Sequence, residues 1–385
     1  MSYQYQNSLH QKLGDILALF SRAGILVEES RIHPFFVDLV LSRPVEPRLF
    51  KDLYTQLLRE YNVVSFQLKG DKPVVRLVPF VKKESTLYRH RWLLTTTAFV
   101  TIFFTGLGVA QGLTLVTGDQ GPLILLTNAA LYTLFFSLAL LVHEFGHLYV
   151  SRRAGLIVEG PVLLPAPPIQ LGFLGTFGAV IYTKTPPCTK KDLAKLGLSG
   201  PIFGLAAATV IGIVGTYLSP VISYEAAAEL VEKGSLELVP VASLGLILMQ
   251  YLRPLSPQEV LVMHPLLFVT YVMYLITFIN LLPIGQLDGG HVVRSAIGLR
   301  EFNLVSSLVP AILIGTGLAL VFAGFSAGAF NYYIGLGVVS LVMYLLFGRR
   351  GHPGTANQYD ESTCRWCLFG YLLALILTAP VPLVL

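Results

Sequence analysis

Charge is scarce in this sequence. Asp, Glu, Lys and Arg together supply 13% of its 385 residues, about half the share of an ordinary soluble domain. With 54% hydrophobic residues and a mean hydropathy of +0.67, that shortage excludes a water-soluble enzyme and predicts a polytopic membrane protein. Cysteine is nearly absent. Cys188, Cys364 and Cys367 form no disulfide framework, and the lone Cys364-x-x-Cys367 pair lacks the further ligands of a structural zinc site, so it reads as a fortuitous pair of thiols. No stretch interleaves basic residues with aromatics, so no nucleic-acid partner is expected. The formal charge of +5 is better explained by lysines and arginines in cytoplasmic loops. Paired halves related by repeat, the mark of many transporters, are not visible. Residues 1–85 are too polar for a cleavable signal peptide.

Long apolar runs are what the sequence has in quantity. A membrane helix needs about 20 apolar residues. Candidate spans lie near 92–115, 122–149, 196–219, 264–286, 303–325, 329–348 and 366–385. The expected fold is an all-α polytopic membrane protein of about six to seven transmembrane helices, preceded by a small α+β domain. In that first zone Leu13, Ile16, Leu17 and Phe20 repeat at helical spacing, as do Phe50, Leu53, Leu57 and Tyr61. Segments 36–41 and 63–68 alternate like strands, and Lys69-Gly70-Asp71 reads as a hairpin turn into 74–78. The lone His33 there reads as structural. The expected division is 1–85 (a domain of regulatory or gating role), 86–350 (the membrane core) and 351–385 (a loop and final span). The run 238–252 is short for a span and reads as interfacial, re-entrant or a lid.

Basic residues cluster at alternate ends of these spans. They are Lys82, Lys83, Arg89 and Arg91, then Arg152 and Arg153, then Lys184, Lys190, Lys191 and Lys195, then Arg294 and Arg300, and finally Arg349 and Arg350. Glu225, Glu229, Glu232 and Glu237 crowd an opposite loop. The excess of basic residues on cytoplasmic loops therefore predicts an integral multi-pass protein with a cytoplasmic N-terminus.

His143-Glu144-Phe145-Gly146-His147 lies inside one of the apolar runs, where Glu144 is the only charged residue between 121 and 151. In a helix the two histidines are one turn apart on one face and can hold one metal ion, with Glu144 beside it as a base. Ionisable groups at membrane depth cost roughly 2.5–3.5 kcal/mol each on insertion scales, which favours function over a mere helix contact. A zinc site open to water needs a third protein ligand. Asp288 is the candidate, in Asn280-Leu281-Leu282-Pro283-Ile284-Gly285-Gln286-Leu287-Asp288-Gly289, where Pro283 and the glycines break a second apolar run. Its other reading is an N-cap for a helix starting at Gly289. His291 is a rival ligand, ranked second because it lies toward Arg294 and Arg300.

The combination of H-E-x-x-H with a later N-x-x-P-x-x-x-x-D-G resembles the site-2 protease family of intramembrane zinc metalloproteases. The glycine-rich stretch 172–181, the Ser199-Gly200-Pro201 start of the following span, where that family more often has Ala-Gly-Pro, and His264-Pro265 extend the likeness over 141–300. His264-Pro265 points to the branch found in archaea, cyanobacteria and plastids. The resemblance implies one Zn2+ per chain held by His143, His147 and Asp288, with Glu144 as general base. The substrates it implies are transmembrane-helix proteins in the lipid bilayer, cut in or beside the span to release cytoplasmic regulatory domains. Stretch 172–181, through Gly175 and Gly178, is expected either to offer a strand edge to an unwound substrate or to form a tight loop on the catalytic helix. Asn280 is expected to donate to substrate backbone or to the developing oxyanion, or else to clamp two helices. Two other readings are a membrane-anchored zinc endopeptidase that cuts exposed polypeptide and a non-enzymatic transporter or binding protein.

Overall fold

Alternating apolar residues near the N-terminus become strands, and uninterrupted apolar runs become long helices, in the computed structural model of the chain, which describes residues 2–118, 121–349 and 351–383. The first zone runs α1 (Ser2–Arg22), β1 (Val27–Ile32), β2 (Val37–Leu41), α2 (Pro47–Gln56), β3 (Val63–Leu68) and β4 (Val74–Pro79). The strands form an antiparallel sheet in the order β1-β2-β4-β3. Ile16, Phe20, Phe50, Leu53 and Leu57 from the helices cover Leu39, Val75 and Leu77 of the sheet, as the helical and alternating spacings require.

This small core is completed by residues far away in sequence. Cys188 and Ala356 are buried in it. Tyr54 Oη donates to Pro186 O at 2.8 Å, and Lys51 Nζ lies 2.8 Å from the Asp192 carboxylate. The backbone of Gln67 in β3 pairs with the segment around Asn357, through Gln67 N to Ala356 O at 2.8 Å and Gln358 N to Gln67 O at 2.9 Å. Burial pushes the Cys188 thiol up to about 12, so it is inert as a nucleophile.

The membrane part begins with a short α3 (Thr86–Arg89), followed by α4 (Arg91–Thr117), α5 (Pro122–Arg153), the hairpin β5 (Val158–Pro165) and β6 (Thr176–Thr183), and α6 (Lys190–Leu218). A small connecting region follows, with β7 (Val221–Ser223), α7 (Tyr224–Glu232), β8 (Val241–Ser243), α8 (Leu244–Gln250) and β9 (Glu259–Leu261). Then come α9 (Pro265–Leu281), α10 (Asp288–Ala296), α11 (Leu299–Phe322), α12 (Ala327–Met343), α13 (Arg365–Thr378) and β10 (Pro380–Pro382). Helix α6 runs through the middle and touches α5, α9, α10 and α13.

Each apolar run expected to be a span contains a helix, but among the described residues only α4, α5, α6, α11 and α12 with its continuation to Gly348 are long and apolar enough to cross a bilayer. The runs at 264–286 and 366–385 are corrected to the shorter helices α9 and α13. Pro283 stops the first soon after Leu281, and the second gives way to β10; Val384 and Leu385, like Arg350, lie outside the described residues. Phe104, Leu134, Leu318, Phe322 and Phe369 project outward from the bundle, an apolar girdle suited to lipid and not to water.

The run 238–252 contains β8, paired with β10, and the seven-residue α8, which packs beside α6 and α13. The reading of Cys364 and Cys367 as separate thiols is also corrected. They face each other at the entrance to α13, with Cα atoms 5.2 Å apart, and are joined as a disulfide.

Candidate active site

Helix α5 carries His143, Glu144 and His147, all buried. The two imidazoles meet through Nε2 at 3.2 Å. Asp288 closes the group: Oδ2 is 3.3 Å from His143 Nε2 and Oδ1 is 3.3 Å from His147 Nε2. Donor atoms of a tetrahedral zinc with bonds of about 2.0–2.1 Å stand about 3.3 Å apart, close to the 3.2 Å between the two imidazole nitrogens, and each nitrogen meets one oxygen of the Asp288 carboxylate. The trio could hold a metal ion. The donor set, two imidazole nitrogens and a carboxylate, suits zinc and leaves a fourth position for water or substrate.

The orientation of His147 is set from behind. Its Nδ1 lies 2.8 Å from Leu196 O, and a carbonyl can only accept, so Nδ1 carries the proton and the Nε2 lone pair faces the trio. His143 Nδ1 is buried and has no hydrogen-bond partner. Helix α6 has to pass very close to allow this. A Cβ built on Gly200 would fall inside the His147 imidazole, and one on Gly204 would stand 2.9 Å from His143 Cβ and Nδ1. From the other side, a Cβ on Gly146 would come within 2.9 Å of the Ser199 carbonyl carbon. These glycines let two helices approach until the histidines fit between them.

Asp288 reaches the trio because a helix breaks. Helix α9 ends at Leu281, and the chain turns through Pro283 and Gly285, where φ is +50°, before α10 begins with Asp288 itself. The N-cap position belongs to Leu287, so the alternative reading of Asp288 as the cap does not apply. Backbone groups released by the break find partners. Tyr371 Oη donates to Leu281 O at 3.0 Å, and Gly285 N–H donates to Ser306 Oγ at 3.2 Å, which is how an interrupted helix is tolerated in a membrane. His264 caps the start of α9, its Nδ1 accepting from Leu266 N at 3.2 Å. That gives the His264-Pro265 pair a structural role.

A cavity of about 260 Å3 opens beside the trio. It is lined by His143, Glu144, His147, Asn280, Asp288 and His291, together with Gln286, Leu287, Leu196 and Ala179, Val180, Ile181 and Thr183 of the hairpin. Asn280 therefore reaches the same space as Glu144. Gly175 and Gly178 do not line it. Gly175 is buried against α4, where Thr101 Oγ1 donates to its carbonyl at 2.5 Å, and the later residues of β6 face the cavity instead. Among the described residues β6 pairs only with β5, so its second edge has no strand beside it. Nothing in the sequence assigned Gln286 or the α6 glycines a part in the site; within the stretch 172–181 it pointed to Gly175 and Gly178, whereas Ala179, Val180 and Ile181 face the cavity.

The profile of peptidase family M50 matches residues 131–324, which contain every residue of the trio and Glu144. The probable zinc metalloprotease EGY2, chloroplastic, of Arabidopsis thaliana is 26% identical over 260 residues, covering 66% of this chain and 44% of that protein. The probable zinc metalloprotease EGY1, chloroplastic, of the same plant is 31% identical over 186 residues, 47% of this chain and 33% of its own length. The zinc metalloprotease MJ0392 of Methanocaldococcus jannaschii is 24% identical over 217 residues, 56% and 48% of the two chains. The matched part of this chain thus spans less than half the length of each relative. No solved structure matches the chain. With the profile covering half of the sequence and including the whole trio, the chain belongs to peptidase family M50, the family of the site-2 proteases that its two motifs resemble.

Proposed function

We propose that this protein is an intramembrane zinc metalloprotease that hydrolyses peptide bonds in or next to the transmembrane helices of membrane-anchored proteins. The observation that carries the reading is the convergence of donor atoms from His143, His147 and Asp288, all within 4.8 Å of one another, with Glu144 in the same cavity of an apolar helix bundle. His143, His147 and Asp288 are the metal ligands. When bound, zinc supplies a Lewis acid that polarises a carbonyl and lowers the pKa of a water toward about 7. Glu144 accepts the proton of the attacking water as its oxygen bonds to the carbonyl carbon. It delivers that proton to the amide nitrogen as the C–N bond breaks.

A helical substrate hides its carbonyls in its own hydrogen bonds and has to unwind first. The free edge of β6 can pair with the unwound chain, and the Asn280 amide can donate to its backbone. The test is cleavage of a purified single-span substrate in detergent. Cleavage is expected to stop with a zinc chelator and return with added zinc, and a soluble unfolded protein is expected to be a poor substrate. Preferential cutting of the soluble protein would favour the membrane-anchored endopeptidase instead.

The N-terminal unit and the site both face the cytoplasm in this reading. Arg152 and Arg153 close α5 just beyond His147, Lys190 and Lys191 open α6, and Lys51 of the N-terminal unit binds Asp192 there. A cysteine placed beside Arg152 is expected to react with an impermeant thiol reagent only from the cytoplasmic side, and one beside Glu229 only from the other. Labelling of both from one side would refute the orientation.

A further inference from the structure

His291 lines the catalytic cavity, yet it stands outside the trio whose donor atoms converge. Its Nδ1 is 2.7 Å from Nε2 of His352, a residue 61 positions further along the chain. His352 is buried, edge-on to Phe302 and to His291. Its own Nδ1 accepts the backbone N–H of Gly354 at 2.8 Å, across a turn in which Gly354 takes φ +77°.

These contacts leave one arrangement of protons. A backbone N–H can only donate, so His352 Nδ1 presents a lone pair. The proton of the neutral ring is then on Nε2, which donates to His291 Nδ1. His291, one of the residues lining the cavity, in turn carries its proton on Nε2, the ring nitrogen not engaged with His352. Burial, with His291 and Arg294 nearby, holds the His352 pKa far below its ordinary value, which keeps the ring neutral. The segment carrying His352 is itself anchored, because Ala356 N donates to Pro187 O at 2.9 Å and Ala356 O accepts from Gln67 N at 2.8 Å in the N-terminal sheet.

We propose that His291 is a catalytic residue whose Nε2–H donates to the carbonyl oxygen of the scissile peptide, and that His352 is the positioning residue that selects this tautomer. No proton is transferred. The hydrogen bond strengthens as negative charge gathers on the oxygen during water attack, so it favours the transition state over bound substrate.

The inference rests on the protease reading, so the experiment includes wild type and Glu144→Gln to establish that cleavage and its dependence on this site are real. With that shown, His291→Leu is expected to lower kcat by about 10²–10³-fold, the usual cost of losing one oxyanion donor. KM, zinc content and thermal stability are expected to stay unchanged. His291→Gln, which keeps an N–H, is expected to recover part of the loss. His352→Leu is expected to lower kcat in the same direction, and His352→Gln, which can still donate to His291 Nδ1, to restore it. Binding of a phosphinic peptide, a mimic of the tetrahedral state, is expected to weaken in step with kcat across these variants. Unchanged kcat in His291→Leu would overturn the proposal. So would loss of zinc from that variant, which would make His291 a ligand, or a uniform loss of kcat, KM and stability in all four variants.

Discussion

Glu144→Gln is expected to lower cleavage of a single-span substrate by about 10²–10⁴-fold, the range supplied by a general base, while zinc remains bound. The substitution keeps the shape of the side chain and removes only its ability to take a proton. The trio is untouched, since its donor atoms belong to His143, His147 and Asp288. Glu144 is also buried in the cavity wall, so bulk buffer has little access to replace it. Measuring zinc stoichiometry and turnover on the same preparation decides the matter. A variant that kept its turnover would remove Glu144 from the mechanism, and one that lost its zinc would make it a ligand.

Gly200→Ala is expected to cost the protein its metal. By helix propensity alone the change should help, since Ala is favoured over Gly by about 1 kcal/mol in a helix interior. Here the added methyl would occupy the space of the His147 imidazole. The ring would have to swing away, breaking its hydrogen bond to Leu196 O and moving Nε2 out of line with His143 and Asp288. Loss of a partner that merely orients a metal-bound histidine already costs about 10–100-fold in affinity, and displacing the ligand itself should cost more. Turnover is expected to fall with the zinc. Gly315→Ala in α11 is the control, because a Cβ there meets nothing within 4 Å, and it is expected to keep full zinc and activity. Full zinc occupancy in Gly200→Ala would show that the packing between α5 and α6 is loose enough to absorb the methyl.

That His143, Glu144, His147 and Asp288 would gather at one cavity was legible because each is an ionisable group in an apolar run, where its desolvation demands a reason. The helical spacing of the two histidines then set their common face without reference to anything distant. Pro283 announced the break that frees Asp288, and alternation announced the N-terminal sheet. All of this is local: propensity, periodicity and solvation act over a few residues. The length of α9 and α13 was misjudged because an apolar run does not by itself say where its helix stops: α9 ends at Leu281 ahead of Pro283, and α13 at Thr378 ahead of Pro380.

The rest depended on which helices lie side by side, a matter of packing between segments far apart in sequence. Nothing near Gly200 or Gly204 says that an imidazole will rest against them; α6 had to be laid on α5 first. His352 has no meaning in its own neighbourhood, and acquires one only when the loop after α12 is carried back across α10 to meet His291. Cys188 and Ala356 likewise become core residues of a domain they do not adjoin in sequence. The order of residues was therefore enough to single out the ionisable cluster and its apolar setting, because desolvating a charge is costly wherever the residue sits. The ring orientations, the glycine clearances and the second histidine needed the folded chain, because they depend on close packing, and packing is known only once distant segments touch.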